Sequence, residues 1–180
     1  KKNIKKLVGA AEFINNKPRY CLWLVGISPA ELKQMPEVMK RVEACRWDRL
    51  SAPDPGRRKL ADIPTLFREQ LNPVTSIIIP VVSSENRNYI PMGYIDENTI
   101  CTDRIKFIPE ATTYHFGVLT SSIHMAWMRA VCGRLEMRYN YSKDIVYNNF
   151  PWPEVTEKQK VQVEQTAQAI LDARSLYPDC

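Results

Sequence analysis

The sequence predicts an α+β fold: a twisted, mostly antiparallel β region flanked by helices, with a helical C-terminal segment. Three observations carry that expectation. A capping signal opens residues 28–45, where apolar side chains then recur at three- and four-residue steps. β-Branched runs fill residues 76–108, and helix-spaced apolar positions return from residue 117.

Lys1–Lys6 opens the chain as a charged stretch, and Arg19–Ile27 (RYCLWLVGI) reads as a strand from its β-branched and aromatic content. Ser28, Pro29 and Glu31 then form a helix start, with Ser28 as N-cap, proline at the first helical position and Glu31 completing a capping box. Leu32, Met35, Met39, Val42 and Cys45 supply the apolar stripe. Pro36 divides this region into a short helix and a longer one reaching about Leu50. Ser51–Lys59 (SAPDPGRRK) reads as a loop from its prolines and glycine.

In the β-rich middle, Ser76–Val82 and Tyr89–Ile95 are strand candidates joined by the polar loop Ser83–Asn88, and Ile100–Ile108 is a third. Pro80 and Pro91 place the first two at edges or bulges. Gly117–Val131 then predicts a helix that buries Val118, Leu119, Ile123, Ala126 and Ala130. An irregular, aromatic-rich segment covers Asn140–Pro153. The capping box of Thr156 and Gln159 opens a last helix whose stripe is Val163, Ala167, Ile170 and Leu171.

Hydrophobic residues make up 44% of the 180 and charged residues 25%, enough apolar material for a packed core. No apolar run approaches the roughly 20 residues that span a bilayer, so no membrane partner is expected and the cytoplasm is the expected location. The chain opens without Met and reads as part of a longer protein. Five widely spaced cysteines and two histidines give neither a disulfide framework nor a metal site, so no metal ligand is assigned. Residues 1–68 hold 15 Lys and Arg against 7 Asp and Glu, whereas residues 69–180 hold 10 against 13. A basic half of this kind suits a polyanion, although lysine-rich solvated helices give the same count.

Catalytic patterns are missing. The glycines are scattered, no two prolines adjoin, and the nucleotide-binding, nucleophile-elbow and zinc-protease motifs do not occur. No catalytic residue and no cofactor of this chain's own is expected. His124, the one candidate for acid–base work, reads instead as a core or interface histidine beside Trp127.

Four stretches carry a resemblance: Glu12–Leu24 (EFINNKPRYCLWL), Ile79–Gly93 (IPVVSSENRNYIPMG), Phe116–Leu135 (FGVLTSSIHMAWMRAVCGRL) and Tyr141–Pro153 (YSKDIVYNNFPWP). They resemble the C-terminal part of the MmeI-like, type IIL restriction–modification DNA methyltransferases. The resemblance implies a DNA target recognition domain over residues 1–112 and a helical C-terminal region over 113–180 that packs on the recognition and methyltransferase domains. It also implies an upstream methyltransferase domain in the same protein, which would use S-adenosylmethionine to methylate adenine N6. Double-stranded DNA is the implied partner.

The residue types suit that role. Ser83, Ser84, Glu85, Asn86, Arg87, Asn88 and Tyr89 concentrate donors and acceptors on one loop. A carboxylate accepts from cytosine N4, an amide pairs with adenine and a guanidinium forks onto guanine. A plain hairpin connection has the same composition. Arg57, Arg58 and Lys59, with Lys106, Arg134, Arg138 and Lys143 behind them, are phosphate candidates. The same residues serve equally as a solvated surface. Trp127, Phe150 and Trp152 read as a packing device that ties the recognition domain to the methyltransferase body. A scaffold module that only holds such an enzyme together is the alternative, motivated by this aromatic segment.

Overall fold

The computed structural model describes residues 2–68 and 74–177. From the N-terminus come β1 (Ile4–Val8), α1 (Ala10–Ile14), β2 (Tyr20–Leu22), α2 (Pro29–Lys33), α3 (Pro36–Leu50) and α4 (Pro55–Lys59). A 3-10 turn at Leu60–Asp62 precedes β3 (Ser76–Pro80), β4 (Val82–Ser83), β5 (Gly93–Ile95), β6 (Thr99–Cys101) and β7 (Ile105–Pro109). Helices α5 (Thr113–Leu119) and α6 (Ser122–Val131) lead into the hairpin of β8 (Gly133–Leu135) and β9 (Arg138–Asn140). A π-helical turn at Lys143–Tyr147 and α7 (Glu157–Ser175) complete the chain. Two compact units divide it: Lys1–Lys5 with Tyr20–Leu71, and Lys6–Arg19 with Asn72–Cys180. Residues 74–112 and 113–177 therefore share the second unit.

In the first unit the expected capping box forms. The Ser28 hydroxyl accepts from Glu31 N at 3.1 Å, and the Glu31 carboxylate accepts from Ser28 N at 3.2 Å. Those main-chain and hydroxyl donors hold the Glu31 carboxyl below its usual range. Pro36 begins α3 as expected, and Val42 is its buried residue. The strand expected over Arg19–Ile27 contracts to Tyr20–Leu22, and Gly26, at φ 76°, turns the chain where a β-carbon would be strained. The loop expected over Ser51–Lys59 is corrected in its second half. Asp54 accepts from Gly56 N and Arg57 N, and Pro55 starts α4. That N-cap and proline pair is a helix start whose Pro/Gly content imitates a loop. Arg49 fastens the segment after α4 by donating to the carbonyls of Leu60, Ile63 and Leu66 at 2.7, 2.9 and 2.7 Å.

The second unit is built on β3. It lies at the centre of the sheet β5-β3-β7, antiparallel to both neighbours. Ile77 and Ile79 point into the main core, and Ile78 points into a smaller one with Val8 and Ile105. This three-isoleucine run thus covers both faces, each side chain contributing about 2 kcal/mol by burial. The edge position expected from Pro80 is corrected: proline is tolerated because it is the last residue of β3, two beyond the end of its pairing with β5. Pro91 does interrupt, and only Gly93–Ile95 of the second candidate forms a strand.

The run Ile100–Ile108 is two strands. Thr102 turns the chain, and β6 pairs in parallel with β1, Leu7 opposite Ile100. The helix expected over Gly117–Val131 is likewise two. Ser121 caps α6 and shifts its phase, so His124, Met125 and Met128 are buried while Ile123 is 73% exposed. Ala126 and Ala130 are exposed as well. In α7, Val163, Ala167 and Leu171 pack inward, but Ile170 is 39% exposed. Gly117 makes the α5–α7 approach possible, since a β-carbon there would lie 2.7 Å from Val163 Cγ1.

Candidate nucleic-acid interface

A third sheet, β4-β9-β8, presents the expected reading loop. Val82 pairs with Asn140 and Ser83 with Tyr139, so the chain leaves β4 at the end of the sheet where the β8–β9 turn lies. Burial fixes both ends of the loop. Ser83 on one side and Ile90 and Met92 on the other are 2%, 2% and 1% exposed. Tyr141 N donates to Val81 O at 2.7 Å and Val81 N to Arg104 O at 2.9 Å, which holds the entering strand.

Between those anchors the loop is held by its main chain. Arg87 N donates to Ser84 O at 3.2 Å, and Asn86 N to the Ser84 hydroxyl at 3.2 Å. From α6, the half-buried Arg129 donates its guanidinium to Asn88 O, and Met125 Sδ accepts from Ile90 N at 3.4 Å. Asn86, Arg87, Asn88 and Tyr89 are exposed and Glu85 is half-buried. Among the described residues, no side-chain hydrogen bond or ion pair engages any of these five. Ser84 uses its hydroxyl within the turn. Ser83 stands apart, because it is buried with its hydroxyl unpartnered among the described residues.

The phosphate candidates fall into two groups. Lys106, Arg134, Arg138 and Lys143 lie in the second unit with the loop, and Arg57, Arg58 and Lys59 lie on α4 in the first. Arg57 pairs with Asp48, and Arg58 donates to Ala52 O and Pro53 O at 2.9 and 2.7 Å. Lys59 is exposed. Arg134 lies 4.1 Å from the Tyr139 ring centroid and donates to Met137 O at 3.2 Å. Arg138 pairs with Glu136 at the hairpin turn, and Lys143 lies 3.8 Å from Asp144. Lys106 is half-buried on β7, opposite Ile79.

The aromatic residues serve this unit internally. Phe150 meets His124 and Trp152 edge-on at centroid distances of 4.6 and 5.5 Å, and Trp127 Nε1 donates to Val146 O at 2.9 Å. His124 is fully buried with Nε2 3.1 Å from the Tyr141 hydroxyl, and burial pushes its pKa down to about 4. A neutral imidazole there packs and hydrogen-bonds. No group of His, Cys, Asp and Glu suited to a metal occurs among the described residues, and no described helix is long and apolar enough to cross a membrane.

Arg129 and the Glu136–Met137 turn were not among the expected contributors, although Arg134 and Arg138 on the same hairpin were. Arg129 sits on a helix face with no local signal of its long-range partner. The hairpin turn uses Glu136 and Met137, without the Asn-Gly or Asp-Gly pair that announces a two-residue turn.

Comparison with known proteins gives consistent results. The family model described as "MmeI, target recognition domain" matches residues 1–154. "DNA methyltransferase A" of Bacillus subtilis (strain 168) is 42% identical over 171 residues, covering 94% of this chain and 20% of that protein. The solved structure of the type IIL restriction–modification enzyme MmeI in complex with DNA superimposes with a TM-score of 0.95 at 44% identity. That match covers 99% of this chain and 24% of MmeI, so the chain spans a quarter or less of the length of either relative. With the family model matching residues 1–154 of the 180, the chain belongs to the MmeI target recognition domain family.

Proposed function

We propose that this chain reads the base sequence of double-stranded DNA through residues 84–89 on behalf of a methyltransferase domain carried upstream in the same protein. One observation supports this above the others: the loop is fixed by its main chain and by buried flanks, while Glu85, Asn86, Arg87, Asn88 and Tyr89 keep their side chains uncommitted. Such preorganisation is what base readout requires, because a reader ordered in advance loses little entropy on binding. The relatives support it as well, one being named a DNA methyltransferase and the other solved with DNA.

Within this reading, Arg134 and Arg138 supply phosphate contacts at the loop's end of the sheet, and Lys143, Lys106, Arg57, Arg58 and Lys59 supply weaker ones. Arg58 contributes least, since its guanidinium already serves two carbonyls. The glycine-rich turn that cradles S-adenosylmethionine is absent from this sequence. The donor and the adenine-N6 chemistry therefore belong to the upstream domain, and the protein works in the cytoplasm on cellular or invading DNA. The helical C-terminal region would pack against the methyltransferase domain as well as the recognition sheets. The scaffold alternative loses its motive, because Trp127, Phe150 and Trp152 pack within their own unit.

Selection from a pool of random DNA duplexes tests the proposal. The wild-type chain should enrich a defined sequence, and Glu85→Ala or Arg87→Ala should alter it at one or two positions. Enrichment of the same sequence by wild type and both variants would remove the loop from the reading role.

A further inference from the structure

We infer that the β8–β9 turn, Glu136 and Met137, is a second base-reading element that enters the same DNA groove as the 84–89 loop. This rests on the proposal that the loop reads DNA. The register carries it: Ser83 opposite Tyr139 and Arg134 opposite Tyr139 put the start of the loop and the hairpin turn at one end of one three-stranded sheet. From β4 to β8 is two inter-strand spacings, about 10 Å. The major groove is about 12 Å wide and admits a two-stranded ribbon. The β8–β9 hairpin is a ribbon of that kind, and the 84–89 loop leaves the same end of the sheet beside its turn.

The turn is also built to project. Met137 is 71% exposed and Leu135 45%, so the tip presents apolar surface outward. Glu136 is held at φ 56°, a left-handed conformation that is rare for a residue with a β-carbon and collects at functional positions. Beneath the tip, Arg134 lies over the Tyr139 ring and donates to Met137 O, while Arg138 pairs with Glu136. Two guanidiniums flanking an exposed tip match phosphates flanking a groove. Released from Arg138 when a phosphate takes that guanidinium, the Glu136 carboxylate is an acceptor for cytosine N4. Met137 offers an apolar surface to a thymine methyl.

The same duplex selection, run on the 180-residue chain with Glu136→Gly and Met137→Ala, tests the inference. Glycine suits the left-handed turn and Met137 is exposed, so neither variant should melt below the wild-type chain. The expected result is a roughly tenfold loss of preference at one or two positions other than those altered by Arg87→Ala. Two results overturn the second reader and leave the loop in place: an unchanged sequence at unchanged affinity, or a uniform loss of affinity with the sequence unchanged. If the wild-type chain itself enriches no sequence, base reading by the loop falls, and this inference falls with it.

Discussion

The His124 imidazole and the Tyr141 hydroxyl meet at 3.1 Å in the core that underlies the 84–89 loop, both side chains nearly inaccessible to water. Burial disfavours the charged form of each, driving the histidine down to about 4 and the phenol up. Tyr141 also donates its main-chain N–H to Val81 at the root of the loop, so this pair connects α6 to the sheet end that carries the site.

The pair predicts an acid limb in stability. Unfolding returns His124 to its ordinary 6.5, so the unfolded chain takes up the proton first as pH falls. Stability should be complete above pH 6.5 and decline toward pH 4, a loss of about 3 kcal/mol. Urea denaturation at a series of pH values measures it. His124→Leu should flatten the limb between pH 6.5 and 5, and an unchanged slope in that variant would refute the assignment.

Tyr141→Phe leaves His124 Nε2 buried without its partner and should destabilise the chain by about 1–3 kcal/mol at neutral pH. Thermal melting at pH 7.5 measures the loss.

Glu136 offers the opposite sign. In a two-residue turn with only its first residue at positive φ, glycine is the usual choice. Glu136→Gly should leave stability unchanged or raise it by up to about 1 kcal/mol, read from the urea midpoint.

At Gly117 a side chain would push on α7. An alanine β-carbon would sit 2.7 Å from Val163 Cγ1 and 3.2 Å from Val163 O. Gly117→Ala should cost about 1–3 kcal/mol from overpacking, despite alanine's better helix propensity. Calorimetric melting would show it, with Gly117→Ala/Val163→Ala recovering part of the loss.

Arg129→Ala should act on the loop more than on the fold. Removing the donor to Asn88 O frees the main chain of residues 84–89 at a stability cost below about 1 kcal/mol. Binding measured against salt concentration should keep its slope while sequence preference weakens. Arg134→Ala, by contrast, should reduce the slope by about one.

The sequence made the framework readable where signals were local. The capping boxes at Ser28 and Thr156 and the break at Pro36 appear as expected. Long-range pairings were not readable in this way. Lys1–Lys6 looks like a charged stretch, yet Ile4–Val8 becomes a strand because β6 offers it a parallel partner at Leu7. The stripe through Ile123 and Ala126 misled because Ser121 restarts the helix, and a cap in mid-pattern changes which face is buried. The loop at 83–89 stood out by its polar composition. Its neighbour, the Glu136–Met137 turn, did not, since only the pairing of β4 with β9 brings the two together.

The loop's frame has a further consequence. Asn88 O, Ile90 N, Ser84 O and Arg87 N are groups that nearly every residue supplies, so folding makes little demand on which side chains stand at Glu85, Asn86 and Arg87. Mutational drift at those three positions carries almost no thermodynamic penalty. Under the proposed function, a lineage can exchange one target sequence for another there while the architecture beneath stays intact.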